Sequence, residues 1–300
     1  IEQAIEDLNY RVNTVARGMK TRKTMTVGVL IPSLADYYGL SVLTSIDKTF
    51  FDSGYSAIIC DYDQDDPVGA KMKLDLLLNK QVDGIIMQPI NVKSQDLAGV
   101  EAEKTPIVFI DVAVPGSHHD SVTVNNDEIA QDVTALLIKK GHKRIGFIAG
   151  APGVPTTDDR VVGYRKALEE AGISFDEQLI YTKDISEESG YQAVEEMLML
   201  DNKPTALFTA AYGSTIGALT CLNEKQLKIP QDISFVGFET LEIARIYHPT
   251  LTIGAQPVEE IGTQAAKMLL ERMNQEYVGE TRQIRLSAFI QEGDSILDIN

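Results

Sequence analysis

Few residues in this chain have the types and spacing that chemistry requires. The run DYDQDD at Asp61–Asp66 spaces carboxylates as a calcium loop does. It lacks the glycine at the sixth position that turns such a loop and the glutamate at the twelfth that closes its coordination shell. His118 and His119 are neighbours without a third ligand close in sequence, so they do not form a metal site. GAPG at Gly150–Gly153 is not followed by the Gly-Lys-Ser/Thr of a phosphate loop. No Ser/His/Asp or Cys/His set falls in the loops, so the expectation is a non-enzyme with no metal and no cofactor. Binding has better candidates. The guanidinium of Arg160 is a planar fork of donors suited to hydroxyls or a carboxylate. Tyr37 and Tyr38 offer flat rings that can stack on a pyranose or a base.

These residues need elements to position them, and the chain supplies a regular alternation. Continuous apolar runs occur at Thr26–Ile31, Ala57–Cys60, Gly84–Met87, Ile107–Ile110, Ser121–Val124, Arg144–Ile148, Ala206–Phe208 and Ile233–Val236. Runs without alternation mark strands covered on both faces, hence parallel sheets between helices. Helical patterns alternate with them at Gly39–Asp52, Val68–Asn79, Ile129–Lys140, Arg160–Ala171, Glu187–Leu200, Ser214–Glu224 and Pro257–Met273. Gly54, Gly141 and Gly172 fall just past helices, where a left-handed residue closes the last turn. Pro257 stands where a helix tolerates a missing N–H. The fold class is therefore α/β and doubly wound. Ligands of such sheets bind beyond the carboxyl ends of the strands. That rule selects the loops that carry Tyr37 and Tyr38, Asp63, Gln88, Asp111, Arg160, Tyr212 and Glu239.

Composition sets the bounds. A chain of 300 residues exceeds the size at which one core usually keeps growing, so two lobes are expected. No apolar run approaches the ~18 residues that span a bilayer, so no membrane partner is expected. Cys60 and Cys221 lie in apolar segments and read as free thiols of a reducing cytosol. The chain opens on Ile1 rather than Met and reads as a piece of a longer protein. Its net charge is −17, yet residues 1–23 hold five basic against three acidic side chains. The acidic remainder repels polyphosphate, so any contact with nucleic acid is confined to the first two dozen residues.

Four stretches carry a resemblance. They are LNYRVNTVARGMKTRKTMTVGVLIP, GHKRIGFIAG with DDRVVGYRKALEEAGI, IPQDISFVGFE, and HPTLTIGAQPVEEIGTQAAKMLL. In order and spacing they resemble the lactose/galactose repressor family of bacterial transcription regulators, over essentially the whole chain. The resemblance implies two doubly wound parallel-sheet lobes of the periplasmic-binding-protein-like type I fold. It implies the end of a DNA-binding headpiece and a hinge helix at residues 1–24, the helix-turn-helix itself preceding Ile1. The N-terminal lobe would be residues 25–124 plus 255–281, and the C-terminal lobe residues 125–254 plus 282–300. An effector would enter the cleft between the lobes.

The resemblance also implies roles. Arg160 matches the effector-clamping arginine, Asp111 a cleft aspartate, and Gln256 a cleft glutamine. Glu239 stands where the family usually has Asp, and Tyr212 with Ala211 replaces a usual Asp-Asn pair. Tyr37, Tyr38, Asp63 and Gln88 complete the effector set. Met19 takes the place of the apolar wedge that kinks the minor groove, where Leu is usual. Asn13, Arg17, Lys20 and Arg22 would contact DNA, the basic ones neutralising phosphates. Val12 replaces a common proline. The expected partners are a sugar or sugar derivative, operator DNA, a second copy in a homodimer and, as in one branch of the family, a phosphocarrier co-regulator. The alternative from another class is an extracytoplasmic solute-binding protein that feeds a transporter. The hinge-like NTVARGMKTRKT counts against it.

Overall fold

In the computed structural model, residues 23–300 are described, apart from Ala35, Asp36, Pro67 and Thr240. The strands are β1 (Thr26–Ile31), β2 (Ser56–Asp61), β3 (Gly84–Met87), β4 (Ile107–Asp111), β5 (Asp120–Val124), β6 (Ile145–Ile148), β7 (Ile180–Tyr181), β8 (Ala206–Thr209), β9 (Ser234–Phe238), β10 (Thr252–Ala255), β11 (Gln283–Leu286) and β12 (Phe289–Gln291). The helices are α1 (Tyr37–Asp52), α2 (Gly69–Asn79), α3 (Ala98–Glu103), α4 (Asn126–Lys139), α5 (Pro155–Glu170), α6 (Glu187–Leu198), α7 (Tyr212–Glu224), α8 (Leu241–Ile246) and α9 (Val258–Met273).

The described chain divides into two compact units. One holds residues 23–34, Leu43–Ser121 and Gly262–Gln283, and the other residues 37–42, Val122–Ile261 and Ile284–Asn300. One six-stranded sheet runs β11-β5-β4-β3-β1-β2 and the other β12-β10-β9-β8-β6-β7. The pairings β1–β2, β1–β3 and β3–β4 are parallel, as are β6–β7, β6–β8, β8–β9 and β9–β10. β12 runs antiparallel to β10 and closes one edge. Strand order reverses between β1 and β3 in the first sheet and between β6 and β8 in the second, the crevices where such sheets take ligands.

The unbroken apolar runs follow from burial on both faces. Every residue of β3, β4, β6, β8, β9 and β10 is buried. Edge strand β2 is half exposed. In the first unit Leu30, Leu77, Ile85 and Phe109 share a core. The second unit has two core clusters, one around Phe235 and Leu222 and one around Phe147, Tyr164 and Phe208. Phe147 stacks on Phe208 at 4.7 Å between ring centroids. α4 and α5 approach so closely that a Cβ on Gly163 would lie 2.0 Å from the Asp127 carbonyl oxygen. Gly54, Gly141 and Gly172 have positive φ.

Some elements differ from the sequence expectation. β7 and β12 and the helices α3 and α8 carry too few residues to display a period, and β10, as long as β3, β6 and β8, is not among the expected strands. α5 begins at Pro155, five residues earlier than expected, because proline suits a first-turn position. Arg160 therefore lies in the second turn of α5 rather than at its start. Pro257 precedes α9, and its carbonyl accepts the first bond, from Ile261 N at 2.9 Å.

One buried carboxylate ties distant parts of the first unit together. Asp120, its side chain 1% exposed, accepts from Arg272 Nη2 at 2.7 Å and Arg282 Nη2 at 2.8 Å. It also accepts from both Nε atoms and from Arg282 N. Burial alone would raise its pKa, but these bonds from Arg272 and Arg282 outweigh it and hold the carboxyl below the ordinary range. The stabilisation is thus complete above the unfolded value of about 4 and is lost as pH falls through the lower folded value. Asp120→Asn is expected to cost about 3 kcal/mol, because two guanidinium groups lose their anion. Urea unfolding at neutral pH measures the loss, and the acid dependence of the midpoint should flatten in the variant.

Candidate functional site

The second unit gathers side chains from four consecutive strand ends around Arg160. α5, which follows β6, delivers Arg160 in a buried position, 6% exposed. Its Nε donates to Asn126 Oδ1 at 2.9 Å, and its Nη1 donates to the Ala210 carbonyl at the end of β8 at 2.5 Å. Its guanidinium carbon lies 4.2 Å from the ring centroid of Phe238, the last residue of β9. Such a cation–π contact offsets part of the lost hydration. Among the described residues Nη2 has no hydrogen-bond partner; its nearest anion is Glu239 Oε1 at 3.9 Å. Gln256, just past β10, donates through Nε2 to that same Oε1. This fixes the amide orientation, since the flipped amide would set two acceptors face to face. Gln256 Oε1 is then a buried acceptor with no partner among the described residues.

The sheet makes this cluster possible. Parallel strands release their chains at one edge, so Ala210, Phe238 and Gln256 leave the sheet together. Thr215 of α7 steadies the edge: its Oγ1 accepts from Phe238 N at 3.2 Å and lies 2.6 Å from Thr209 Oγ1. Glu239 turns out of β9 with φ 61° and Asp111 ends β4 with φ 67°. A left-handed non-glycine residue costs roughly 1–2 kcal/mol, strain of a kind that gathers at functional sites.

The first unit has a smaller counterpart. Gln88, just past β3, donates through Nε2 to Asp111 Oδ2 at 3.0 Å, both residues being buried. Tyr62 braces this loop by donating to the carbonyls of Gln88 and Ile90 at 2.8 and 2.9 Å. Burial raises its phenol pKa, so it stays a neutral donor.

Tyr37 and Tyr212, the first residues of α1 and α7, stack with centroids 4.9 Å apart and planes 13° from parallel. Burial, followed by a hydrogen bond with Glu242, raises the pKa of Tyr37. Tyr38 is 4% exposed and part of the core. Asp63 is exposed and caps its own turn, its Oδ1 accepting from Asp65 N at 2.9 Å. No hydrogen bond joins Asp63 to Gln88 or Asp111; the inward residue of that loop is Tyr62. Asn13, Arg17, Met19, Lys20 and Arg22 lie outside the described residues.

Sequence reasoning missed Asn126, Phe238 and Tyr62. Phe238 sits directly before Glu239 in VGFE and looks like one more buried strand residue. Asn126 follows another asparagine in VNND, and nothing local marks which of the two faces the arginine. Among the described residues no group of three or more His, Cys, Asp or Glu could hold a metal ion.

The buried pair is expected to show coupling. Arg160→Met removes the cation beside the buried Glu239 carboxylate and should cost about 3 kcal/mol. Combining it with Glu239→Gln should cost at least about 1 kcal/mol less than the sum of the single changes. A double-mutant cycle by urea unfolding measures that difference.

Comparison with known proteins agrees with this architecture. A family profile described as "Periplasmic binding proteins and sugar binding domain of LacI family" matches residues 24–292. The HTH-type transcriptional repressor PurR of Actinobacillus pleuropneumoniae is 32% identical, over 90% of this chain and 80% of its own length. Catabolite control protein A of Priestia megaterium is 32% identical, over 92% of this chain and 83% of its own. A crystal structure of the Lac repressor bound to ONPG matches with a TM-score of 0.85 at 25% identity, covering 98% of this chain and 88% of that one. The chain, with two parallel-sheet α/β units that position a charge-balanced polar cluster at their strand ends, belongs to the family of periplasmic binding proteins and LacI-family sugar-binding domains.

Proposed function

We infer that this chain is the effector-binding part of a transcriptional repressor. A sugar or sugar derivative is held by Arg160, Glu239 and Gln256, with Tyr37 and Tyr212 as further contacts. Its binding changes the affinity of the basic N-terminal segment for an operator. The observation that carries this reading is the buried Gln256 Oε1, which has no hydrogen-bond partner among the described residues, beside a guanidinium whose Nη2 has none among them either. A hydroxyl both donates and accepts, so it satisfies such a pair of atoms at once. Arg160 and Glu239 cancel in charge, which favours a neutral polyol over a phosphorylated ligand.

The named relatives are regulators of transcription, which supports this reading over a solute-binding protein and over an enzyme. No helix among the described residues is long and apolar enough to cross a membrane. The reading includes a cytoplasmic homodimer, as a two-fold operator requires, and a phosphocarrier as the added partner that one branch of the family uses.

The test uses the protein with its DNA-binding headpiece. The logarithm of its operator affinity should fall linearly with the logarithm of salt concentration, as counterion release dictates. One sugar or derivative should change that affinity by about 5- to 150-fold. An affinity for duplex that is insensitive to salt and to every such compound would remove the reading. For the site itself, Gln256→Leu should weaken the effector about tenfold through the lost hydrogen bond. Isothermal titration measures this, and an unchanged affinity would place the ligand elsewhere.

A further inference from the structure

The first unit contains a cleft of about 580 Å³ that the effector reading does not use. Its size falls within the range of small-molecule sites. It lies where α3, the start of β4 and the segment after α9 meet. Val100 and Ile107 give it an apolar wall, and the exposed Val278 faces it from the post-α9 segment. That segment is pinned in place. Arg272 donates to the carbonyls of Gly279 and Glu280, each at 2.8 Å, and Tyr277 donates to the Glu280 carbonyl at 3.1 Å. The Tyr277 ring lies between two guanidinium groups, 4.5 Å from that of Arg272 and 4.0 Å from that of Arg282. The cleft is therefore built before any ligand arrives, which lowers the entropy lost on binding.

Its polar groups are unevenly committed. His119 lines the cleft with its ring edge-on to Phe109, centroids 5.6 Å apart. Its Nε2 is buried without a hydrogen-bond partner among the described residues. Burial pushes its pKa down, against the upward pull of Glu101 and Asp120, which favours the neutral ring, and the Nδ1–H tautomer of that ring presents Nε2 as an acceptor. Asp120 and Arg272 cancel through their ion pair. Among the described residues the carboxylates of Glu101 and Glu280 and the ammonium of Lys104 line the cleft without an ion pair. Two carboxylates against one ammonium leave the cleft net negative, which repels an organic anion and attracts a cation.

We propose that this cleft binds a small primary ammonium compound with an apolar body. The ligand donates an N–H to His119 Nε2, Glu101 and Glu280 balance its charge, and its hydrocarbon part lies against Val100 and Ile107. An α-amino acid is the simplest zwitterionic member of the class, its carboxylate then meeting Lys104. The site lies in a different unit from the Arg160 cluster, so it gives the protein an input separate from the proposed effector.

Three probes with a linear hydrocarbon body separate the possibilities: n-butylamine, L-norleucine and butyrate. The readout is the His119 imidazole NMR signal of the 300-residue chain, one of four histidines, assigned with His119→Gln. Butylamine and norleucine should shift it saturably, and butyrate should not. In Glu101→Gln/Glu280→Gln, which alters exposed residues only, butylamine should bind about fivefold more weakly, consistent with two exposed charge contacts. An unchanged urea midpoint shows that the variant is folded. Butyrate binding as well as butylamine, no saturable shift with either ammonium compound, or full affinity in the double variant would each overturn the proposal. Retention of butylamine binding in Arg160→Met shows that the two sites are distinct, and its loss there counts against the proposal.

Discussion

Burial of the Arg160 charge is the constraint on which the rest of the second unit turns. A guanidinium withdrawn from water is tolerated only when its donors are met and its charge is balanced. Here a backbone carbonyl, an asparagine, an aromatic face and a carboxylate meet it, and three of the four come from strand ends. Those ends coincide only because β6, β8, β9 and β10 run parallel in one sheet. The covered faces of that sheet in turn demand the helices and their core. Among the described residues Arg160 Nη2 has no hydrogen-bond partner, and its neighbour Gln256 leaves one oxygen unmet. The fold thus holds a small, fixed polar deficit that a hydroxylated guest can satisfy.

The two units use a shared device. In each, a glutamine past one strand donates to a carboxylate past another, Gln88 to Asp111 and Gln256 to Glu239. Both carboxylates sit in left-handed backbone at the end of a strand. A glycine there would relieve the strain but would bring no oxygen. The repetition is what two doubly wound sheets produce, since each pair bridges the ends of two neighbouring parallel strands, β3 and β4 in one unit and β9 and β10 in the other. The second unit differs by adding a cation, Arg160, beside the carboxylate.

Much of this was legible in the residues. GIIM, IVFID and IGFI announce strands covered on both faces, and all their residues are buried. The positions of Arg160 and Glu239 follow from their places after strands, whereas Gln256 is marked only by the family resemblance. What stayed hidden was non-local or short. Asp120 meets Arg272 and Arg282 across 152 and 162 residues, a separation at which no pattern in the chain pairs them. β7 has two residues and β12 three, too few for any period to show. Tyr62 and Asp63 are neighbours in one strand-end loop, and the sequence expectation names the aspartate and passes over the tyrosine. The buried tyrosine holds the loop because its phenol reaches two carbonyls while its ring packs in the core.

The central claim is that one ligand, bound at the Arg160 cluster, is energetically coupled to the DNA-contacting segment. Coupling between two binding events is reciprocal. The most direct measurement is the effector dissociation constant of the full-length protein, taken by titration calorimetry with and without saturating operator duplex. The account predicts that operator changes effector affinity by the same factor by which effector changes operator affinity. An effector affinity that is identical with and without duplex would contradict it.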